Sequence, residues 1–165
     1  LALFGLVACS SGGATAGVTT VDGEIMTTAA PLAGDCAGVS VIVEFDILEA
    51  QRIDECVEVS TETPAADILN QAHVTLAGTD EYGDAVVCRV NNLPSVSAPV
   101  TVDGHEPFIE SCASMPPEFA YWALWVKQGG TDWGYAMVGV GELMLKPGDS
   151  IGLVFTTGTS TPTPS

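Results

Sequence analysis

The sequence predicts an α+β fold in which one short helix packs on a β-sheet and disulfide bonds stabilise the domain. Between residues 39 and 156, most apolar residues fall in short runs that alternate with polar residues or end at turn residues, as strands do. One segment instead has the apolar period of about 3.6 residues that marks an amphipathic helix. The chain of 165 residues is long enough for one modest domain.

Charge and hydropathy restrict the class of protein. The chain has 21 acidic and 4 basic residues and a formal net charge of −17, but it is 47% hydrophobic with a mean hydropathy of +0.35. This hydrophobic content predicts a packed core rather than a disordered acidic chain. The basic residues are far apart in the sequence, so no cationic run can follow a phosphate backbone or an anionic lipid surface. We therefore expect no nucleic-acid partner.

The first half of the domain predicts two strands followed by the helix. Residues 39–46 alternate with a period of two and form a half-buried strand, and residues 56–59 are its shorter partner. Thr63 is the predicted N-cap of the helix, and Pro64 occupies its first helical position. The apolar face of the helix consists of Ala65, Ile68, Leu69 and Ala72.

The second half predicts four more strands and one long insertion. A turn at 82–84 precedes a strand at 85–90, and an irregular, proline-containing loop occupies 95–118. Three strands follow at 120–126, 133–137 and 150–155, the last after a turn at 146–149. A single helix among strands in this order is typical of α+β proteins, with the helix on one sheet face.

The cysteine pattern indicates an oxidising compartment. Apart from a cysteine near the N-terminus, four cysteines remain, and none belongs to a Cys-x-x-Cys pair. Four cysteines can form two disulfides in three different ways, and the spacing alone leaves all three possible. We expect sequential pairing of Cys36 with Cys56, because a hairpin brings them together, and of Cys88 with Cys112, which closes the insertion.

The N-terminal residues resemble the end of a bacterial lipoprotein signal peptide. Leu6-Val7-Ala8-Cys9 matches a lipobox, and a Ser/Gly-rich stretch follows it. The resemblance implies that residues 1–8 are removed and that Cys9 carries a lipid that anchors the chain outside the cell membrane. The alternative is an apolar strand with a chance cysteine. Composition divides the remaining chain into a flexible tether (9–38), the domain (39–156) and a Ser/Thr/Pro linker or tail (157–165).

Several motifs in the second half resemble a known family. They are Asn91-Asn92-Leu93, Tyr121-Trp122, Trp133-Gly134-Tyr135 and the segment 143–155. These motifs are similar to the C-terminal domain of transcobalamin and intrinsic factor, and more closely to the bacterial secreted domains related to it. The likeness covers residues 39 to 156 and implies a β-grasp-like mixed sheet. In the animal carriers this domain forms one wall of a cobalamin site, so the resemblance suggests a corrinoid as ligand.

An aromatic cluster is the candidate binding site. Five aromatic residues lie within 121–135: Tyr121, Trp122, Trp125, Trp133 and Tyr135. Alternation places Tyr121 and Trp125 on one face of their strand and Trp122 on the other. Two interpretations are open: the rings pack in the core or under the insertion, or one face offers a stacking platform to a corrinoid, a sugar or an aromatic peptide. Gly139 and Gly141 are further candidates, because glycine lets a ligand approach the backbone.

The sequence predicts a binding protein rather than an enzyme. No motif places a nucleophile beside a base, and the cysteines are assigned to disulfides. No cofactor or metal is expected, since His73 and His105 lack zinc-ligand spacing to any cysteine. We expect an extracytoplasmic module that captures a small ligand, with a corrinoid as the first candidate, for a membrane transporter. The alternative is a structural or protein-interaction module of a cell-surface protein.

Overall fold

The computed structural model describes residues 36–165, which form a mostly β structure with one short α-helix. The predicted signal peptide, Cys9 and most of the predicted tether lie outside the described residues. The strands are β1 (Val39–Glu44), β2 (Ile53–Val57), β3 (Thr63–Pro64), β4 (Leu76–Thr79), β5 (Gly83–Val90), β6 (Ala120–Lys127), β7 (Gly134–Tyr135), β8 (Met144–Leu145) and β9 (Ser150–Thr157). The helix is α1 (Ala65–Gln71). The predicted α+β class is therefore confirmed.

A five-stranded mixed sheet forms the body of the domain. Its strand order is β2-β1-β9-β6-β7, in which β1 runs parallel to β9 and the other pairs are antiparallel. The parallel pair lies away from the sheet edges, and β9 is buried from Ile151 through Thr156. The apolar run from Ile151 to Phe155 suits this position, because a central strand is covered on both faces.

The sheet separates two apolar layers. On one face, α1 buries Ala65, Ile68 and Leu69 against the sheet, as its period predicts. Trp122 of β6 belongs to this larger core, whereas Ala123 and Trp125 belong to a smaller cluster on the other face. The predicted alternation of β6 is therefore confirmed.

The start of α1 differs from its prediction. Thr63 and Pro64 are extended and pair with Leu145 and Met144 of β8, so the helix begins at Ala65 with Pro64 as its N-cap residue. The Thr63 hydroxyl donates to the carbonyl of Thr61 and does not cap the helix. The physical reason is not local: Pro64 is extended (ψ 136°) because it pairs with β8, which lies far along the sequence.

Both predicted disulfides form. Cys36–Cys56 fastens the chain before β1 to β2, and Cys88–Cys112 ties the insertion 95–118 to β5. Disulfides indicate an oxidising, extracytoplasmic environment. Among the described residues, no helix has the length and apolar character needed to cross a bilayer.

A buried arginine also stabilises the insertion. Arg89 of β5 is 9% exposed. Its Nε donates to the carbonyl of Pro94 at 2.8 Å, and its other guanidinium nitrogens contact the carbonyl of Glu110 and the sulfur of Cys112. The Glu110 carboxylate accepts the backbone N–H of Cys112 at 2.7 Å. These contacts fix both ends of the loop that leads into β6.

The last residues of the chain cross the smaller apolar layer. The composition of 157–165 predicts a linker or tail, but Thr157 completes β9 and residues 158–165, here called the strap, pack on the sheet. Pro164 is buried and occupies the space that a side chain at Gly152 would need. The Ser165 hydroxyl donates to the carboxylate of Glu44 at 2.6 Å. Glycine at 152 thus leaves room for Pro164, a contact that the composition of this segment does not predict.

Candidate functional site

A groove of about 610 Å³ runs beside the outer edge of β6. Four segments form its walls: 84–87 of β5, 115–118 at the end of the insertion, 121–124 of β6, and 135–140, which begins at the last residue of β7. This volume lies within the range of about 300–1,000 Å³ that is usual for small-ligand sites. The Cys88–Cys112 disulfide and Arg89 anchor the first two walls, so the groove belongs to the folded framework.

The groove exists because β7 is too short to cover β6. Only Trp125 and Val126 pair with β7, and the N–H of Ala136 adds one bond to the carbonyl of Leu124. In an antiparallel strand, backbone groups of alternate residues point to the same edge, so those of Trp122 and Leu124 point toward the groove. Within residues 36–165, no strand pairs with β6 on this side before Trp125.

Exposed apolar side chains converge on this groove. Nine large hydrophobic residues of the described chain are exposed, and four of them line the groove. They are Met115 (60% exposed), Tyr135 (47%), Met137 (92%) and Val138 (40%). Contiguous exposed apolar surface on a soluble domain commonly marks a binding site.

The predicted aromatic residues divide between the groove and the interior. Tyr121, Trp122 and Tyr135 line the groove. Trp122 is only 7% exposed and packs edge-on against Phe45 and Phe155, and its indole N–H donates to the carbonyl of Leu93 at 3.1 Å. Trp122 is thus a core residue with one edge at the groove, which combines both sequence interpretations.

Trp125 and Trp133 do not line the groove. Both pack in the smaller layer on the other sheet face, where Trp125 is 6% exposed. The ring of Tyr135 stacks on Trp125, so Trp125 supports a groove residue from behind. Within the described chain, the buried Trp125 Nε1 has no hydrogen-bond partner.

The two candidate glycines have different positions. Gly139 lines the groove, and a Cβ there would lie 2.4 Å from the Cα of Ala85, so the close packing of this segment on β5 itself requires glycine. Gly141 does not line the groove, and a Cβ there would meet the Asp84 side chain at 3.6 Å, an ordinary contact.

Sequence reasoning missed the methionine walls of the groove. Met115 is in the irregular insertion. Met137 falls in the predicted strand 133–137, but β7 covers only Gly134–Tyr135 and leaves Met137 in an irregular segment. The available signal was their chemistry, since Met137-Val138 is an apolar pair directly beside turn-forming glycines. Methionine is flexible and polarisable and adapts to ligands of irregular shape.

Hydroxyl groups and carboxylates add polarity to the groove. The Tyr121 hydroxyl lies 3.4 Å from the Tyr135 hydroxyl and 2.7 Å from the hydroxyl of Thr161 in the strap. Burial raises the pKa of Tyr135 above its ordinary value, while the hydrogen bond of Thr161 opposes this rise and the Tyr121 hydroxyl adds to it. Asp84 and Glu118 are the charged residues of the lining.

The arrangement can hold a ligand by apolar contact, by hydrogen bonds and by negative charge. Within residues 36–165, no group of three or more histidine, cysteine, aspartate or glutamate side chains is arranged to hold a metal ion.

No family model matches this chain, and neither a curated protein nor a solved structure matches it significantly.

Proposed function

We propose that this chain is an extracytoplasmic, non-catalytic binding module that holds a small apolar ligand in the groove beside β6. One observation carries the proposal: the convergence of Met115, Tyr135, Met137 and Val138, all exposed, on a single cavity. Burial of such side chains by a ligand supplies about 25 cal/mol for each Å² removed from water. The disulfides support the extracytoplasmic location.

Binding in this groove relies on a framework that is already formed. The walls are fixed by the Cys88–Cys112 disulfide, by Arg89 and by the stacking of Tyr135 on Trp125. A rigid site loses little conformational entropy when a ligand binds. The exposed methionines supply the remaining adaptability.

The proposal includes a β-grasp identity for the sheet and a corrinoid as the ligand to test first. A central parallel pair β1–β9, with a hairpin on one side and α1 following that hairpin, supports the β-grasp assignment. The resemblance to the transcobalamin C-terminal domain supports the corrinoid. Lipid attachment at Cys9 and delivery to a membrane transporter belong to the same proposal, because tethering raises the effective concentration of the module beside a membrane partner.

The test compares two exposed methionines. Nile red, a neutral apolar fluorophore, is titrated into the protein, and cyanocobalamin binding is measured by equilibrium dialysis. Met137→Ser should weaken binding by about fivefold or more, whereas Met144→Ser on β8, outside the groove, should leave it unchanged. Equal effects of the two variants, or no binding of Nile red, would contradict the proposal that the ligand binds in the groove. If Nile red binds and cyanocobalamin does not, a corrinoid is ruled out as the ligand and the groove proposal is kept.

The open edge of β6 favours a second candidate, an interaction module that accepts an extended peptide. The backbone groups of Trp122 and the N–H of Leu124 face the groove, while the Leu124 carbonyl already accepts the N–H of Ala136; added strands are held by such main-chain bonds. The two candidates differ in hydrogen exchange. A peptide strand would protect the amides of Trp122 and Leu124, whereas a small apolar ligand would leave their exchange nearly unchanged.

A further inference from the structure

We infer that the groove selects an apolar ligand that carries a positive charge, such as a quaternary ammonium group on an aromatic or alkyl body. The inference rests on the proposed function, since it names the chemical class of that ligand. Three features carry it: carboxylates on two walls, lining residues that include no cation, and aromatic rings in the lining.

The carboxylates of the groove belong to separate walls. Asp84 lies near the start of β5, and Glu118 lies at the end of the insertion, just before β6. The ion pairs within residues 36–165 use other carboxylates, those of Glu44, Asp54 and Glu62. No neighbouring cation of the described chain therefore neutralises either carboxylate of the groove.

The positive charges of the domain are placed elsewhere. Arg52 and Lys146 pair with surface carboxylates, and Arg89 is buried against the insertion. Lys127 is at the last position of β6 and does not line the groove. The net charge of −17 adds a potential of the same sign. A concave surface of one charge sign concentrates the opposite ion from solution.

Aromatic rings complete the site for a cation. Tyr121 and Tyr135 both line the groove, and Trp122 contributes an edge. One face of Tyr135 is covered by Trp125, while the residue is 47% exposed. A cation over an aromatic ring gains about 0.5–1 kcal/mol at an exposed site and more when water is removed. Quaternary ammonium groups suit such a site because they combine charge with apolar surface.

The same features disfavour other ligands. A neutral ligand of equal shape would gain no attraction from the exposed Asp84 and Glu118, and wherever it covers them it would remove water that the charged groups need. An anion would be repelled by both carboxylates and by the charge of the whole chain. Selection by charge therefore follows from the lining itself.

The experiment uses three aromatic probes of matched size and different charge. Benzyltrimethylammonium, its neutral isostere neopentylbenzene and benzylsulfonate are titrated by calorimetry or by tryptophan fluorescence at low and high salt. The cation should bind about tenfold more tightly than the neutral isostere at low salt. The preference should decrease at high salt, because salt screens exposed charges. The anion should bind weakest.

Matched variants separate the groove from the overall charge. Asp84→Asn and Glu118→Gln should each reduce the preference for the cation about threefold, while the exposed controls Asp132→Asn and Glu106→Gln, which change the net charge equally, should not. If the neutral isostere binds as tightly as the cation, or if the controls act like the groove variants, the inference is wrong and the proposed function stands. If Nile red and all three probes fail to bind, the proposed function itself is wrong.

Discussion

The ring of Tyr135 stacks on the indole of Trp125, with centroids 4.2 Å apart and 27° between the ring planes. Their strands are in register, since Trp125 and Tyr135 are paired residues of β6 and β7. Tyr135 also lines the groove, whereas Trp125 lies in the smaller apolar layer under the strap. This pair therefore couples the packing of that layer to the shape of the binding site.

Removal of the Tyr135 ring should lower the stability of the domain. Tyr135→Ala should lower the free energy of unfolding by about 1 kcal/mol or more, since an aromatic pair contributes that much beyond its buried area and the buried area is lost as well. Tyr135→Phe keeps the ring and should remain within about 0.5 kcal/mol of the wild type. Urea denaturation measures both values. An equal loss in the two variants would show that the hydroxyl, and not the stack, is the stabilising group.

Gly139 and Gly141 form a matched pair for a steric test. Gly139→Ala places a methyl group 2.4 Å from the Cα of Ala85, so the loop must move and the free energy of unfolding should fall by about 1–3 kcal/mol. Gly141→Ala meets only the Asp84 side chain at 3.6 Å and should be nearly neutral. Thermal denaturation of both variants, with Nile red binding as a second measurement, tests this difference. A neutral Gly139→Ala would contradict the close approach of 135–140 to β5.

The two disulfides should contribute similarly to stability and differently to binding. They close loops of similar length, with sequence separations of 20 and 24, so removal of either pair by Cys→Ala substitution should cost about 3 kcal/mol. Only loss of Cys88–Cys112 should also weaken ligand binding, because this bond anchors the insertion that supplies Met115 and Glu118. Equal binding losses in the two double variants would indicate that binding follows global stability.

The Tyr135 phenol gives the domain a pH dependence in the alkaline range. Burial and the nearby Tyr121 hydroxyl raise the pKa of Tyr135 above 10.0, its value in an unfolded chain. The stability from this group is therefore complete below about pH 10 and is lost as the pH rises through the folded pKa. Tyr121→Phe should move the pKa of Tyr135 toward 10.0.

The measurement for this prediction is the tyrosinate absorbance during alkaline titration. Tyr82 also has a raised pKa, because of Glu81, so the titration is performed in a Tyr82→Phe background. An unchanged Tyr135 midpoint after Tyr121→Phe would show that the two hydroxyls do not interact.

Strong local patterns predicted the main sheet. The predicted strands at 39–46, 85–90, 120–126 and 150–155 correspond to β1, β5, β6 and β9, because long apolar or alternating runs define a strand without tertiary information. The partner strand β2 was misplaced: residues 56–59 were predicted, but β2 spans Ile53–Val57. As an edge strand with charged residues, β2 shows a weak apolar pattern.

Elements that depend on distant partners were not predictable. The two-residue strands β3 and β8 exist only through their mutual pairing, and β4 is interrupted by Gly78 at a register shift. The groove also depends on residues that are distant in sequence, since its walls come from four separate segments. Trp122 and Tyr135 were predicted from aromatic chemistry, whereas Met115 and Met137 become neighbours of the site only after folding.

The most direct test of the binding function is a map of amide chemical shifts on isotope-labelled protein during titration with 2-naphthylmethanol, a neutral apolar probe. The groove account predicts saturable changes confined to 84–87, 115–118, 121–124 and 135–140, with α1 and β2 unchanged. Changes that are scattered, that do not saturate, or that concentrate on α1 or β2 would contradict it.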